Sequence, residues 1–253
     1  MKFAGMTAVI TGGGQGIGAA IARALADGGA SIVVAARNLD RVKTVAESIE
    51  QSGGKARAVR CDVTDPSSVH ALASAASRQG AAVDILINNA GVAHSAPLHK
   101  ITLDDWQRVF AVNATGTFLC TQAFVAGMLE RKRGSVVNIA SIAGLEGGRY
   151  IAAYAAAKHA VIGFTRSVAA ELEGTGVTCN AVCPGYVDTP MTEESVARVV
   201  SKTGKSAEEA LSAMLAASDQ QRLVTPEEVA QAVLKLCDPK GKRPNGMTVK
   251  LTG

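Results

Sequence analysis

The sequence predicts a single α/β domain, on three observations. Short apolar runs alternate along the whole chain with longer helical patterns. The first run feeds a glycine-rich turn and a helix, and a second apolar run follows, which makes a βαβ unit. The 253 residues are 47% hydrophobic and 19% charged, which suits one large core better than two small ones, and no repeat, low-complexity tract or linker interrupts them.

Residues 6–11 (MTAVIT) read as the first buried strand, and residues 19–26 begin the helix after the turn Gly12-Gly13-Gly14-Gln15-Gly16-Ile17-Gly18. Glycines let the backbone turn tightly and let a phosphate approach the helix N-terminus, where unpaired N–H groups and the dipole favour an anion. Two registers fit. Gly14-Gln15-Gly16-Ile17-Gly18-Ala19 matches the general G-x-G-x-x-A dinucleotide pattern. Thr11-Gly12-x-x-x-Gly16-x-Gly18 matches a T-G-x-x-x-G-x-G variant, and the motifs further along favour it. Residues 31–36 (SIVVAA) are the second strand. An acid at its end would hydrogen-bond the 2′-hydroxyl of NAD, whereas an arginine would pair with the 2′-phosphate of NADP. The chain has Ala35-Ala36-Arg37-Asn38, with no acid until Asp40, so Arg37 argues for NADP(H) over NAD(H). The plainer reading of Arg37 is a solvent-facing residue at a helix start.

An amphipathic helix over residues 39–51 leads to a third strand at 56–60 and then Cys61-Asp62-Val63, where an aspartate past the strand end can accept from an adenine amino group. Residues 66–78 are the next helix and 84–87 the fourth strand, closed by Asn88-Asn89-Ala90-Gly91, small and amide residues that suit close approach by a cofactor. Residues 104–133 read as one long helix. Asn113 in mid-run is a poor interior helix former that either diverts the backbone or stacks helices through its amide. Arg131, Lys132 and Arg133 at its end complement the helix dipole.

The fifth strand, residues 136–140, ends at Ser141. Residues 150–173 form a helix apolar on more than one face, one face for the sheet and another for a second subunit. Residues 177–183 are the sixth strand, broken by Pro184-Gly185. Thr189-Pro190 then opens a helical insertion over 189–218, interrupted at Thr203-Gly204-Lys205 and long enough to act as a lid. Thr225-Pro226-Glu227-Glu228 carries an N-cap, a proline at N1 and a glutamate at N3, a strong helix start, and 246–251 is the last strand.

Composition narrows the function. A net charge of +4, spread along the chain, is too mild to argue for nucleic acid. No run of 18 or more apolar residues and no N-terminal cleavable leader is evident, so a cytoplasmic protein with no membrane partner is expected. The five cysteines stand in apolar contexts without a C-x-x-C pair and read as buried hydrophobes in a reducing compartment. His70, His94, His99 and His159 have no metal-ligand spacing, so no metal is expected. His94, three past Gly91, reads as a loop histidine or as part of a substrate mouth.

The stretch from Ser141 to Lys158 organises the chemistry. On a helix, Tyr154 and Lys158 share one face a turn apart. A free phenol is a poor acid or base at neutral pH, and a neighbouring ammonium favours its phenolate. With the Ser141 hydroxyl, the pair has what is needed to polarise a carbonyl and give it a proton. Tyr150 and Tyr186 lack a lysine four residues on.

In this order these motifs resemble a short-chain dehydrogenase/reductase over essentially the whole chain. The residues that carry the resemblance are Thr11-Gly12, Gly16, Gly18, Asp62, Asn88-Asn89-Ala90-Gly91, Asn113, Ser141, Tyr154, Lys158, Pro184-Gly185 and Thr189. The resemblance implies one Rossmann-type, doubly wound domain over 1–253 with a seven-stranded parallel sheet. It implies Tyr154 as general acid/base, Lys158 on the nicotinamide ribose, Ser141 orienting the carbonyl, and Asn113 holding a water in the proton relay. It further implies cofactor contacts from Gly12, Gln15, Gly16, Ile17, Gly18, Arg37, Asp62, Val63, Asn89, Ala90, Gly91, Pro184, Gly185, Val187 and Thr189, and a homotetramer. Asn138-Ile139-Ala140-Ser141, Asn180 through Val187, Thr189-Pro190-Met191 and Arg222-Leu223-Val224 are similar to bacterial 3-oxoacyl-thioester reductases, 3-hydroxyacyl-CoA dehydrogenases and type II polyketide ketoreductases. The substrate implied is a thioester, ketone or alcohol of low mass. The alternatives are a cyclic or hydroxysteroid-like secondary-alcohol dehydrogenase and, against the complete Ser–Tyr–Lys set, a dinucleotide binder without turnover.

Overall fold

The computed structural model describes residues 1–77 and 82–253, and the expected helix end at residue 78 lies outside the described residues. Seven strands, β1 (Thr7–Thr11), β2 (Ser31–Ala36), β3 (Lys55–Arg60), β4 (Val83–Asn88), β5 (Gly134–Ile139), β6 (Val177–Pro184) and β7 (Thr248–Leu251), form one parallel sheet in the order β3-β2-β1-β4-β5-β6-β7. Parallel strands need crossovers, and helices supply them on both faces. Helices α1 (Gly16–Asp27), α2 (Leu39–Gln51) and α9 (Pro226–Leu236) pack on one face through Ile21, Leu25, Val42, Ile49 and Val233. On the other face α3 (Pro66–Ala76), α5 (Gly116–Glu130) and α6 (Ala152–Glu171) close over Val9, Leu86 and Val136 with Leu72, Phe124 and Met128. Covered on both faces, β1, β4, β5 and β6 are buried at every position, while the edge strands β3 and β7 are half-exposed.

The strand order reverses between β1 and β4. There the crossovers leave in opposite directions and open a crevice at the strands' carboxyl ends. At the opposite end Asp84 accepts the Thr7 N–H at 3.0 Å, where the β1–β4 register shifts, and Arg133 pairs with it at 3.0 Å. Arg131 donates to Val83 O. The basic cluster expected to complement a helix dipole therefore also ties the start of β4.

The long helix expected over 104–133 is divided. α4 (Leu103–Phe110) and α5 are joined by a π-helical turn, Ala111–Thr115, with Asn113 at its centre. By length and composition the continuous stretch Leu103–Glu130 is apolar enough to cross a membrane. Its Val109, Asn113, Thr117, Cys120, Thr121, Phe124 and Met128 face the protein core. α6 starts at Ala152 rather than Tyr150, because Tyr150 adopts a left-handed φ of 67° and gives its carbonyl to Ala96 N–H. Past β6 lie α7 (Pro190–Thr203), ended by left-handed Gly204, and α8 (Ala207–Ala216). Both α8 and α9 start with a complete capping box, Ser206–Glu209 and Thr225–Glu228. The five cysteines are buried as free thiols. Burial pushes Cys120, Cys179 and Cys237 up to about 12 and Cys183 to about 11.

Candidate active site

The glycine-rich turn is built by exclusion. Gly12 and Gly16 hold left-handed φ values of 64° and 50°, which side chains with a Cβ rarely adopt. A Cβ on Gly12 would lie 2.8 Å from Ala90 Cα, and one on Gly18 would lie 2.4 Å from Gly12 O. Gly14 has no such φ. The strained positions are thus those of the T-G-x-x-x-G-x-G register. Thr11 Oγ1 accepts the N–H groups of Asn89 and Ala90 at 3.1 and 3.2 Å, and Asn89 Nδ2 donates to Thr11 O and Gly12 O at 3.1 and 3.0 Å. The Asn89 amide is therefore committed to holding the turn against the end of β4.

Beside this turn runs a cleft of about 640 Å³. Gly12, Gln15, Gly16, Ile17, Arg37, Asp62, Val63, Asn89, Ala90, Gly91 and Thr189, all expected on a cofactor, line it. Gly18, Tyr154, Lys158, Pro184, Gly185 and Val187 do not: Gly18 packs beneath the turn, and the others lie deeper or beyond it. Arg41 also lines the cleft. The N-cap Asn38 accepts the Arg41 N–H, and the Arg41 guanidinium donates to Gln15. Arg37 and Arg41 thus present two guanidinium groups on one end of the cleft. Asp62 is the sole acid among its lining residues; Thr64 N–H and Oγ1 bond to its Oδ1, which with Arg37 holds its carboxyl below the ordinary range. Arg37 precedes the N-cap Asn38 and Arg41 lies in the first turn of α2, so the helix start at Leu39 is the signal that could have found Arg41.

The catalytic candidates meet at the ends of β4, β5 and β6. Ser141 is buried, caps a short helical turn by accepting Ala143 N–H at 3.1 Å, and donates to Pro184 O at 3.5 Å. Tyr154 is half-buried. Burial raises its phenol above the ordinary range, and a hydrogen bond with the Ser141 side chain pulls it back down. Lys158 is 5% exposed; its Nζ donates to Ile139 O at 2.8 Å and lies 5.8 Å from the Tyr154 ring centre. Burial depresses Lys158 to about 8. The lysine was expected to lower the Tyr154 pKa; in the chain alone the direction is upward, with burial of the phenol the largest cause, and the Lys158 ammonium is turned to Ile139 O.

Asn113 neither stacks helices nor points freely into the site. Its Oδ1 accepts Val92 N–H and its Nδ2 donates to Val92 O, both at 2.9 Å, so its amide clamps the loop after β4. A Cβ on Gly91 would lie 3.0 Å from that Oδ1 and 3.7 Å from Lys158 Nζ, which places the loop between the two. The diversion of the backbone is the π turn itself, a feature common at functional sites.

Thr189 begins α7 and packs on the glycine-rich turn: a Cβ on Gly16 would lie 3.0 Å from its Cγ2. Val187 O accepts the hydroxyls of Thr189 and Thr192. In α7 and just past it, Arg198 donates to Ser95 Oγ at 3.4 Å, while Lys202 and Lys205 are exposed. His94 Nε2 lies 3.4 Å from Asp105, so His94 belongs to the loop facing α4. The cleft fits a dinucleotide on the chain's own geometry. Two left-handed glycines open backbone N–H groups at a helix N-terminus, and two guanidinium groups line the same cleft.

The chain matches the short chain dehydrogenase family over residues 6–199. It is 39% identical over 248 residues to a 3-oxoacyl-[acyl-carrier-protein] reductase of Synechocystis sp., covering 97% of this chain and 95% of that protein. It is 35% identical over 256 residues to a 3beta-hydroxysteroid dehydrogenase of Mediterraneibacter gnavus, covering 97% and 92%. A crystal structure of an actinorhodin polyketide ketoreductase variant with NADPH superposes with a TM-score of 0.93 at 35% identity, covering 98% and 96%.

The buried lysine makes stability depend on pH. Its pKa falls from 10.5 unfolded to about 8 folded, so between these values the unfolded chain binds more protons and stability rises with pH. Tyr154 and the thiols, raised by burial, oppose this at the alkaline end. Comparison with Lys158→Met isolates the lysine: from pH 8 to 10 the stability of wild type relative to this variant, read by urea denaturation without cofactor, is expected to increase. A constant difference contradicts a depressed Lys158.

Proposed function

The chain belongs to the short-chain dehydrogenase family, and we propose that it interconverts a 3-oxoacyl thioester and a 3-hydroxyacyl thioester with NADP(H). The observation that carries the reading is the meeting of Ser141, Tyr154 and Lys158 beside a cleft fitted for a dinucleotide. The names of the Synechocystis relative and of the ketoreductase solved with NADPH support the substrate and the cofactor.

When bound, NADP(H) supplies or accepts the hydride. Gly12 through Gly18 would cradle its phosphates, Arg37 and Arg41 its 2′-phosphate and Asp62 its adenine, with Thr189 at the nicotinamide end. In reduction the Ser141 hydroxyl donates a hydrogen bond to the substrate carbonyl oxygen and the Tyr154 phenol gives that oxygen its proton; in oxidation the phenolate takes it back. The Lys158 ammonium would stabilise that phenolate and would hold the nicotinamide ribose when the cofactor is bound. Because the Asn113 amide is committed to Val92, any relay water it holds meets the second lone pair of its backbone carbonyl, the first being taken by Thr117 Oγ1. Met191, Val196, Val199, Leu211 and Leu215 of the lid would offer apolar surface to an acyl chain, whereas Met214 is buried. Exposed Lys202 and Lys205 suit the phosphate of a pantetheine arm better than Arg198, which is engaged with Ser95. The hydroxysteroid dehydrogenase relative favours a second reading, a cyclic secondary-alcohol dehydrogenase with the same catalytic residues.

We place the enzyme in the cytoplasm as a homotetramer. Leu103, Trp106, Phe118 and Leu129 of α4 and α5 are exposed, Trp106 stacks on Phe110 at 4.8 Å, and Phe118 meets Phe164 of α6 edge-on at 6.2 Å. That apolar strip on adjacent helices suits a second copy.

Cofactor oxidation with one enzyme preparation compares a 3-oxoacyl thioester, the free 3-oxo acid and a cyclic ketone. The thioester is expected to have the highest kcat/KM, and equal or better turnover of the cyclic ketone moves the function to the second reading. In the same assay Tyr154→Phe is expected to lose about 10²–10⁴-fold in kcat, and more than about a tenth of wild-type turnover sinks the acid/base assignment. Arg37→Ala and Arg41→Ala should each weaken NADPH by about 1.5–3 kcal/mol and leave NADH nearly untouched, whereas a wild type preferring NADH refutes the clamp. Light scattering at micromolar concentration is expected to give the mass of four chains; the mass of one chain rules the assembly out.

A further inference from the structure

Gln220 is 4% exposed, bears no charge, and spends its whole amide on backbone groups. Its Oε1 accepts Tyr186 N–H at 2.7 Å, and its Nε2 donates to Tyr186 O and Arg222 O, both at 3.3 Å. Tyr186 lies one residue past the end of β6, after Gly185, and Gln220 comes after the lid's last helix, so one side chain joins the two ends of the insertion. The surroundings are shaped for it. A Cβ on Gly185 would lie 2.2 Å from Gln220 Oε1, so the absence of a side chain at Gly185 makes the space the amide fills. Asp219, in a left-handed conformation with φ 51°, turns the chain so that Gln220 N–H reaches back to Leu215 O in the last turns of α8.

The Tyr186 segment matters because of what it holds. Burial raises the Tyr186 phenol, the nearby Ser218 side chain pulls it partly back, and the phenol in turn disfavours ionisation of Tyr154. Three residues on, Thr189 packs on the glycine-rich turn. Val224 also pairs with the segment, donating to Tyr186 O and accepting from Asp188 N–H, but among the described residues the Tyr186 N–H has only Gln220. A backbone N–H buried without an acceptor is costly, so removing Gln220 draws that end of the segment toward another partner. The adenosine end of the cleft, at Arg37, Arg41 and Asp62, makes no contact with this tie.

We propose that Gln220 is a positioning residue for the carbonyl-reducing reaction: through Tyr186 it fixes residues 185–189 between the catalytic phenol and the cofactor, and it fastens the return end of the lid to that same segment. The proposal rests on the functional reading above. It separates the two ends of the cofactor, since binding affinity is set at the adenosine end and hydride-transfer geometry at the segment Gln220 holds.

The test measures NADPH affinity by fluorescence titration and kcat with the carbonyl substrate best turned over by wild type, each per folded enzyme, for wild type, Gln220→Met and Gln220→Glu. Gln220→Met is expected to lose about ten- to a hundredfold in kcat while NADPH affinity changes by less than about threefold. Gln220→Glu keeps an acceptor for Tyr186 N–H, loses both donors, and is expected to fall between the two. If Gln220→Met does not fold, Gly185→Ala, which presses a methyl group on the Gln220 amide, is read in the same way. A kcat within about twofold of wild type, or a parallel loss of kcat and NADPH affinity, overturns the positioning role. A wild type that binds NADPH and turns over no carbonyl substrate overturns the functional reading and this role together; an active wild type with an unaffected Gln220→Met overturns this role alone.

Discussion

Where β1 and β4 part at their carboxyl ends, the backbone loses its sheet partners, and one threonine and one asparagine replace them. Thr11 takes two N–H groups from the end of β4 and donates to Ile87 O, while Asn89 returns two donors to Thr11 and Gly12. The crevice exists because these strands diverge, and it keeps its shape because this knot pays the polar cost of the divergence. Everything nearby is positioned from it. Gly12 is pressed against Ala90, and Gly91 is carried to the space between Asn113 and Lys158.

A second polar chain aligns the Ser141–Tyr154–Lys158 group from below. Asn88 Nδ2 donates to Thr121 Oγ1 and to Asn138 Oδ1, and Asn138 Nδ2 donates to Thr165 Oγ1. Thr121 and Thr117 bond in turn to the carbonyls of Thr117 and Asn113. One network therefore joins α5, the middle of the sheet and α6, the helix that carries Tyr154 and Lys158. Buried amides are stabilising only when nearly satisfied, and here one acceptor, Asn88 Oδ1, lacks a protein partner. Such a network trades some stability for a single register of α6 against β5, and Lys158 uses that register to reach Ile139 O.

Much of the architecture was legible because it follows from local rules. Apolar runs mark the strands, glycines with a required left-handed φ mark the turn, and the Thr225 capping box marks a helix start; the box at Ser206 follows the same rule, although only the break at Thr203-Gly204-Lys205 stood out in the sequence. The Ser141–Tyr154–Lys158 group was legible because a four-residue helical spacing is itself geometry. What was not legible depends on partners distant in sequence. That Asn113 clamps Val92 needs the loop and the π turn placed together. Arg133 on Asp84 and Gln220 on Tyr186 are contacts between residues 49 and 34 positions apart, and neither residue type announces them. The upward shift of Tyr154 was hidden for the same reason. The lysine was visible in the sequence, whereas the burial that raises the phenol is a property of the assembled site.

The buried cysteines bear on how an enzyme that handles reducing equivalents keeps them in one channel. Thiols held near 12 leave only about 10⁻⁵ of each side chain as the reactive thiolate at neutral pH, and burial removes the remaining access. The folded chain therefore offers oxidants and electrophiles almost nothing to attack at Cys120, Cys179 and Cys237. These three sulfurs become chemically visible only when the sheet opens, so their modification records the lifetime of the fold rather than the turnover of the enzyme.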